Sequence, residues 1–383
     1  MNRKQFIGLL AAVALVGTAG WIVYQRGNNS WENTGQTIGG KLLPHLPVNS
    51  VAQIIIQSGT NELTLARRDN LWRVRERGDY PANFSQISDL LIKFADLKIV
   101  QSDEISPSQL GRFDLLPPGP ATNSGTLVQF RDQTGTVLAS VLLGKTHMKL
   151  PSGDSQFEED WPDGRYVMAD RNAKTVALVS DTLDNVQPRP ADWLDKDFLH
   201  IEKPCAVAVQ FANATNDWKL IRTSETNDWQ LADARPGAKL DSSKLDGVTS
   251  PFNSPNFNDV SPGAATLTNA TVLNVKTFDG FSYAAKIGSE RDGSYPMTIS
   301  VSADLPVAPP TGKNDKPEEQ SKLSAEFEGR HKTLADKLVR EKQFQNWTYQ
   351  MPAYTVEPIL KTRSQLMVET KNTGTNAPAS AVK

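Results

Sequence analysis

The chain has 383 residues, which is enough for two or three domains with cores of their own. Its 41 lysines and arginines nearly balance 43 aspartates and glutamates, and no basic block occurs, so the chain lacks the charged surface that DNA or RNA binding requires. The single cysteine, Cys205, excludes an intrachain disulfide and a cysteine-rich metal site. Its place at the start of an apolar run predicts a small buried core residue.

The first predicted element is an apolar segment that begins at Phe6 and ends at Tyr24. It holds 19 residues without a charge, which is long enough to cross a hydrocarbon core of about 30 Å. Trp21 suits the membrane interface, and Arg3 and Lys4 precede the segment. This distribution predicts a single-pass protein of the inner (cytoplasmic) membrane, with a cytoplasmic N-terminus and a periplasmic, extracytoplasmic body.

The alternative interpretation of the same segment is a cleaved signal peptide, because residues 17–20 are small enough for a cleavage site. We prefer the anchor, since the apolar region of a signal peptide usually spans only about 7–15 residues. Residues 1–30 are therefore assigned to an N-terminal transmembrane anchor.

Residues 42–200 are predicted to form a first α+β module. Period-two alternation and turn residues predict a three-stranded antiparallel meander, followed by a helix that Asn83 caps. Apolar residues at helical spacing predict that this helix covers the meander. Two further hairpins are expected. The predicted strands and the apolar face of the helix are residues 54–56, 63–65, 71–74, 126–130, 136–143, 165–169 and 175–179, with Ile87, Leu90, Leu91, Phe94 and Leu97 on the helix.

The same order of elements recurs in residues 201–305, which predicts a second, shorter copy of the module. Trp229 follows Trp72 by 157 residues, whereas Gly288 follows Gly144 by only 144 residues. The residues lost in between belong to the helix, which Pro251 stops early. The predicted fold class is thus α+β, with two tandem, diverged, mostly antiparallel β-rich modules and a covering helix after a single N-terminal transmembrane helix.

Residues 306–372 are predicted to be a linker followed by C-terminal helices, and residues 373–383 a disordered tail. The longer helix, residues 322–344, carries an apolar stripe, and Pro358 is positioned to open a second helix. The stripe either packs within the chain, which we prefer, or binds a partner. It comprises Leu323, Phe327, Leu334 and Leu338.

No motif indicates an enzyme, a cofactor or a nucleotide. Gly144-Lys145-Thr146 matches the end of a phosphate-binding loop, but Ala139 stands in place of the upstream glycine, so the tripeptide is interpreted as a turn. The four histidines lack the spacing of two metal ligands on one helix face, and no nucleophilic-serine motif is present. Catalytic, cofactor-binding and metal-binding residues are therefore not predicted.

The candidate contact residues lie in an insertion of the first module: Glu158, Glu159, Asp160, Trp161 and Asp163. The acids have the chemistry of a calcium ligand set or of an acid/base pair, although acid clusters in insertions usually form solvated loops. Trp161 is the tryptophan that we expect to be exposed, whereas Trp72 and Trp229 are expected to fill cores.

Several short segments resemble a bacterial family known as a domain of unknown function (number 4340). They are residues 69–74, 110–117, 141–144, 164–167 and 193–199, and Asp114 stands where the family usually has a glycine. The resemblance implies an N-terminal anchor followed by such modules, and protein partners among ABC-type transporter subunits related to export and gliding motility. It supplies no catalytic residues.

Two functions are therefore expected. The first is a non-enzymatic, membrane-anchored, extracytoplasmic accessory or scaffold subunit of an ABC-type export or gliding-motility-like complex. The alternative is an envelope-bound glycan-binding protein or hydrolase that uses the insertion from Glu158 to Asp163.

Overall fold

The computed structural model describes residues 38–149, 161–170, 174–234, 239–253, 255–307 and 317–368. The chain divides into two compact units, Met1–Trp193 and Leu194–Lys383. Each unit is built around one sheet in which every pair of neighbouring strands is antiparallel. A few helices accompany the sheets, so the predicted α+β class is confirmed.

The first unit has a nine-stranded sheet with the order β4-β3-β2-β1-β6-β7-β8-β9-β5. The meander predicted from alternation forms strands β1 to β3, and the two predicted hairpins form strands β6 to β9. The strands are β1 (Gln53–Ser58), β2 (Asn61–Arg68), β3 (Leu71–Val74), β4 (Tyr80–Pro81), β5 (Ile99–Glu104), β6 (Thr126–Arg131), β7 (Val137–Lys149), β8 (Trp161–Ala169) and β9 (Thr175–Val179).

The second unit has an eight-stranded sheet with the order β12-β11-β10-β14-β15-β16-β17-β13. Apart from β4, each strand of the first sheet has a counterpart here at the same place in the order. This agreement is what two copies of one module predict. The strands are β10 (Pro204–Gln210), β11 (Trp218–Ile221), β12 (Gln230–Leu231), β13 (Asp259–Pro262), β14 (Thr271–Thr277), β15 (Phe281–Ile287), β16 (Ser294–Ala303) and β17 (Trp347–Pro352).

The helix between the meander and the next strand differs between the units, as predicted. In the first unit, α1 (Phe84–Asp96) is capped by Asn83, whose side chain accepts a hydrogen bond from the Gln86 amide at 3.1 Å. Its buried face reaches β6, where the rings of Phe94 and Phe130 lie 5.1 Å apart. In the second unit the corresponding helix, α2 (Asp246–Thr249), is a single turn.

One edge strand of each sheet was not predicted from alternation. β5 follows α1 and pairs with β9, the last strand of its unit, and β13 pairs in the same way with β17. Each unit therefore pairs the strand that follows its helix with its final strand. The burial of β5 does not alternate, because only Ile99 is buried, and this is why the period-two signal is missing.

After its last strand, each unit ends in a strap that returns to the start of its helix. Leu183, Val186 and Trp193 are buried in the first strap, and Val356, Ile359 and Leu366 are buried at the same spacing in the second. Each strap closes with a short 3₁₀ helix, Pro190–Trp193 in the first unit and Arg363–Leu366 in the second.

Equivalent hydrogen bonds fasten the two straps. The Asn83 amide donates to the Trp193 carbonyl at 2.9 Å, and the Asp241 amide donates to the Leu366 carbonyl at 2.9 Å. Because Asn83 and Asp241 both cap the helical turn that follows them, each strap fixes the point where that turn begins.

The region predicted as linker and C-terminal helices therefore contributes to the second sheet. β17 lies between β16 and β13, and α3 (Pro317–Lys342) is inserted between β16 and β17. The prediction of a helix that opens at Pro358 is wrong. A single turn, α4 (Ala353–Val356), ends before Pro358. Pro358 instead packs against Gly247, where an added Cβ on the glycine would lie only 2.4 Å from the proline Cβ.

The predicted anchor, residues 6–24, and the whole of the predicted tail, residues 373–383, lie outside the described residues. Within the part of the chain that the structure describes, no helix has the length and apolar character needed to cross a membrane.

The strap of the second unit can be tested by shortening the chain. A chain that ends at Pro352 loses three buried apolar side chains worth about 1.5–3 kcal/mol each, a sum that approaches the 5–15 kcal/mol by which domains are stable. We expect its second unit to unfold, whereas a chain that ends at Val368 keeps the melting temperature of the full chain. Thermal unfolding followed by circular dichroism measures both, and equal melting of the two shortened chains would contradict the role of the strap.

Candidate functional site

The first candidate site is a hairpin arm that extends beyond the first sheet. β6 pairs with β7 only as far as Leu143, and β9 pairs with β8 only from Arg165 onward. The continuation of β7 and β8, from Gly144 to Lys149 and from Trp161 to Gly164, has no third strand beside it among the described residues. At about 3.4 Å per residue, the six residues of β7 span about 20 Å.

Side-chain contacts support this two-stranded arm, which would be marginal without them. His147 Nδ1 lies 2.5 Å from Asp163 Oδ1, and the ammonium group of Lys149 lies 5.8 Å from the ring centre of Trp161. Beside His147, the Tyr166 ring contacts it edge-on at a centroid distance of 5.7 Å. These contacts hold both strands of the arm together along its length.

The root of the arm requires glycine. A Cβ on Gly144 would lie 2.2 Å from the Phe113 carbonyl oxygen, and one on Gly164 would lie 2.4 Å from the Val179 carbonyl oxygen. The Gly144 carbonyl accepts a hydrogen bond from Arg165 Nε at 2.8 Å, and burial lowers the pKa of that guanidinium. The predicted turn at residues 144–146 is therefore wrong: these residues belong to β7, beside a bulge.

Among the predicted contact residues, Trp161 and Asp163 are described and both lie on the arm. Trp161 is 43% exposed, as expected, and Met148 on the paired strand is equally exposed. The Asp163 carboxylate is engaged by His147. Glu158, Glu159 and Asp160 lie outside the described residues.

Sequence reasoning also misassigned other residues. Trp229 is only half-buried, whereas Trp72 is buried, and the Arg222 guanidinium lies 4.8 Å from the centre of the Trp229 ring. Cys205 is half-buried as well. No three His, Cys, Asp or Glu side chains form a group suited to a metal ion in the described ranges.

The second candidate site is α3, which has no counterpart among the described residues of the first unit. Its apolar stripe was expected to be buried within the chain, yet Leu323 is 40% exposed and Phe327, Leu334 and Leu338 are only half-buried. Among the residues of α3 whose exposure is described, only Glu341 is buried. Polar contacts therefore hold much of this helix to its unit.

These polar contacts centre on Lys337 and Glu341. The Lys337 ammonium donates to the His200 carbonyl at 2.8 Å and to Glu202 Oε2 at 2.9 Å, and it lies 3.9 Å from Glu341 Oε1. The Tyr283 hydroxyl donates to Glu341 Oε2 at 2.7 Å. Burial disfavours the charged forms of the Glu341 carboxyl and the Tyr283 hydroxyl, so desolvation raises the pKa of each group.

With this geometry established, comparison with known proteins assigns the chain to a family. The family model described as Domain of unknown function (DUF4340) matches residues 72–272, just over half of the chain. The chain belongs to this family. The DUF4340 match contains the whole arm and ends within β14, before α3. No curated protein and no solved structure matches the chain.

The Glu341 site predicts an unusual pH dependence. Because its pKa in the folded chain is raised above the ordinary 4.5, the folded state binds the proton more tightly, and this contribution to stability is lost as pH rises from about 4.5 through the raised pKa. Glu341→Gln removes the buried charge, so the variant should melt higher than the parent at pH 8, by about 2–4 °C for each kcal/mol regained. The difference should vanish near pH 4.5. A melting temperature lowered at pH 8 would contradict this assignment.

Proposed function

We propose that this protein is a non-enzymatic, membrane-anchored accessory or scaffold subunit of an ABC-type export or gliding-motility-like complex, with its body on the extracytoplasmic side. The anchor is supported by the uncharged segment from Phe6 to Tyr24 and the cationic residues before it. The kind of complex rests on the family resemblance. The partner is a polytopic membrane protein, the permease of the transporter.

The observation that carries a binding role is the arm of the first unit. A two-stranded ribbon about 20 Å long carries two exposed apolar side chains, Trp161 on the face that it shares with its pairing partner Lys149 and Met148 on the opposite face, and presents both to a partner rather than to its own core. Tryptophan is enriched among the residues that dominate protein interfaces. The glycines at the root and the contacts along the ribbon hold the arm in place before it binds, which reduces the entropic cost of association.

The charge of the segment that connects the two strands of the arm indicates which surface it fits. Between Lys149 and Trp161 the sequence has four acidic residues and no further basic one. A partner surface with lysines or arginines around an apolar pocket would complement this acidic segment, and its charge would speed the encounter. Glu158, Glu159, Asp160, Trp161 and Asp163 are thus proposed as contact residues of a protein interface.

Affinity purification from native membranes in mild detergent tests this proposal. We expect the parent chain to recover a polytopic permease, and the double variant Trp161→Ala, Met148→Ala to recover at least about tenfold less. Raising the salt concentration should also weaken recovery, because salt screens the attraction between the acidic segment and a basic partner surface.

Leu71→Ala is the matched control, since Leu71 is a 54% exposed apolar residue of the same unit outside the arm. Recovery of the chain alone, or equal recovery with the double variant, would contradict the proposal. The glycan-binding alternative is favoured if the permease is not recovered and Trp161→Ala instead abolishes retention on an envelope polysaccharide.

A further inference from the structure

A cavity of about 420 Å³ lies in the second unit between α3 and the turn that joins β14 to β15. Its apolar walls are formed by Phe278, Pro306, Phe327 and Leu334. Phe278 is 38% exposed, and the two residues from α3 are only half-buried. Aromatic and aliphatic surface that would normally be covered therefore lines a pocket that is open to solvent.

The backbone opposite α3 is fixed in place. Gly280 has a φ of +86°, and a Cβ added there would lie 2.3 Å from the Asp304 carbonyl oxygen. The Asp304 amide donates to the Gly280 carbonyl at 3.0 Å. The turn and the end of β16 are thus pressed together, so this wall cannot move inward to fill the space.

The charged groups at the rim largely satisfy one another. Asp279, whose side chain is only 14% exposed, forms an ion pair with Arg330 and lies 3.6 Å from the Lys203 ammonium. The ring of His331 packs against Phe327 at a centroid distance of 5.8 Å. Because the acid within the wall is already paired, the site calls for an apolar group rather than for a counter-ion.

We propose that this cavity binds a lipid acyl chain. An apolar cavity of about 150 Å³ is enough to bind benzene, and the space of about 420 Å³ here has nearly three times that volume. The ion pair of Arg330 with Asp279 and the polar contacts of Lys337 and Glu341 hold α3 in place, so the apolar side chains beside the cavity remain available to an acyl chain. The supply of lipid rests on the membrane location in the proposed function.

Photolabelling of the full chain in phospholipid nanodiscs tests this site. One sample contains a phospholipid with a diazirine on its acyl chain, and a second receives diazirine-bearing palmitic acid, which separates a membrane lipid from a free fatty acid as the source. After illumination, mass spectrometry should locate the label on the peptides that contain Phe278 and Phe327. Leu334→Glu, which places a charge in the cavity, should reduce this labelling at least tenfold.

Val339→Glu is the matched control, because Val339 lies on the same helix, is 65% exposed and does not line the cavity. It should label like the parent chain, and circular dichroism should show that both variants keep the parent's melting behaviour. Label found only outside the cavity, or labelling that Leu334→Glu leaves unchanged, would overturn the proposal. Because the nanodiscs contain no permease, failure here is separate from failure of the partner interaction.

Discussion

Each unit depends on pairing the strand that follows its helix with its last strand. β5 joins β9 and β13 joins β17, although a large part of the unit lies between the partners in sequence. The entropic cost of closing so long a stretch must be offset by the sheet that forms in between. The strap then covers the closed unit and fastens the helix start, so the edge strand, the final strand and the strap form one interdependent assembly.

This constraint explains where the arm and α3 are inserted. Lengthening a connection between adjacent antiparallel strands leaves the strand order intact, whereas altering the edge strand or the strap does not. The arm extends the β7–β8 connection, and α3 enlarges the β16–β17 connection. The shared module thus supports the fold, while the elaborations provide the surfaces that we propose for binding.

Much of the shared module follows from local sequence patterns. Alternation identified the meander and the hairpins, and the Asn83 cap with its apolar stripe identified α1. β5 was not predicted because exposed polar residues fill most of it. The straps were not predicted because their buried residues are too widely spaced to show either the strand period of two or the helix period of 3.6. β17 was separated from its module because α3 intervenes in the sequence, which made residues 306–372 resemble an appended region.

The candidate site was only partly predictable. The acidic insertion and exposed Trp161 are visible in the sequence, but the length of the arm depends on where β6 and β9 stop pairing, which is tertiary information. The α3 cavity was hidden for a similar reason. An apolar stripe that includes Phe327 and Leu334 predicts burial. Only the structure shows that α3 is attached through polar contacts and that these two side chains stay half-buried.

The claim that the module folds independently of the arm is tested most directly by hydrogen exchange. The variant chain has residues 147–163 replaced by a short turn. We expect the amides of β1, β5 and β9 to keep the protection that they have in the parent chain, because none of these strands pairs with the arm. Loss of protection across the first sheet would contradict this claim, since the arm would then be part of the fold itself.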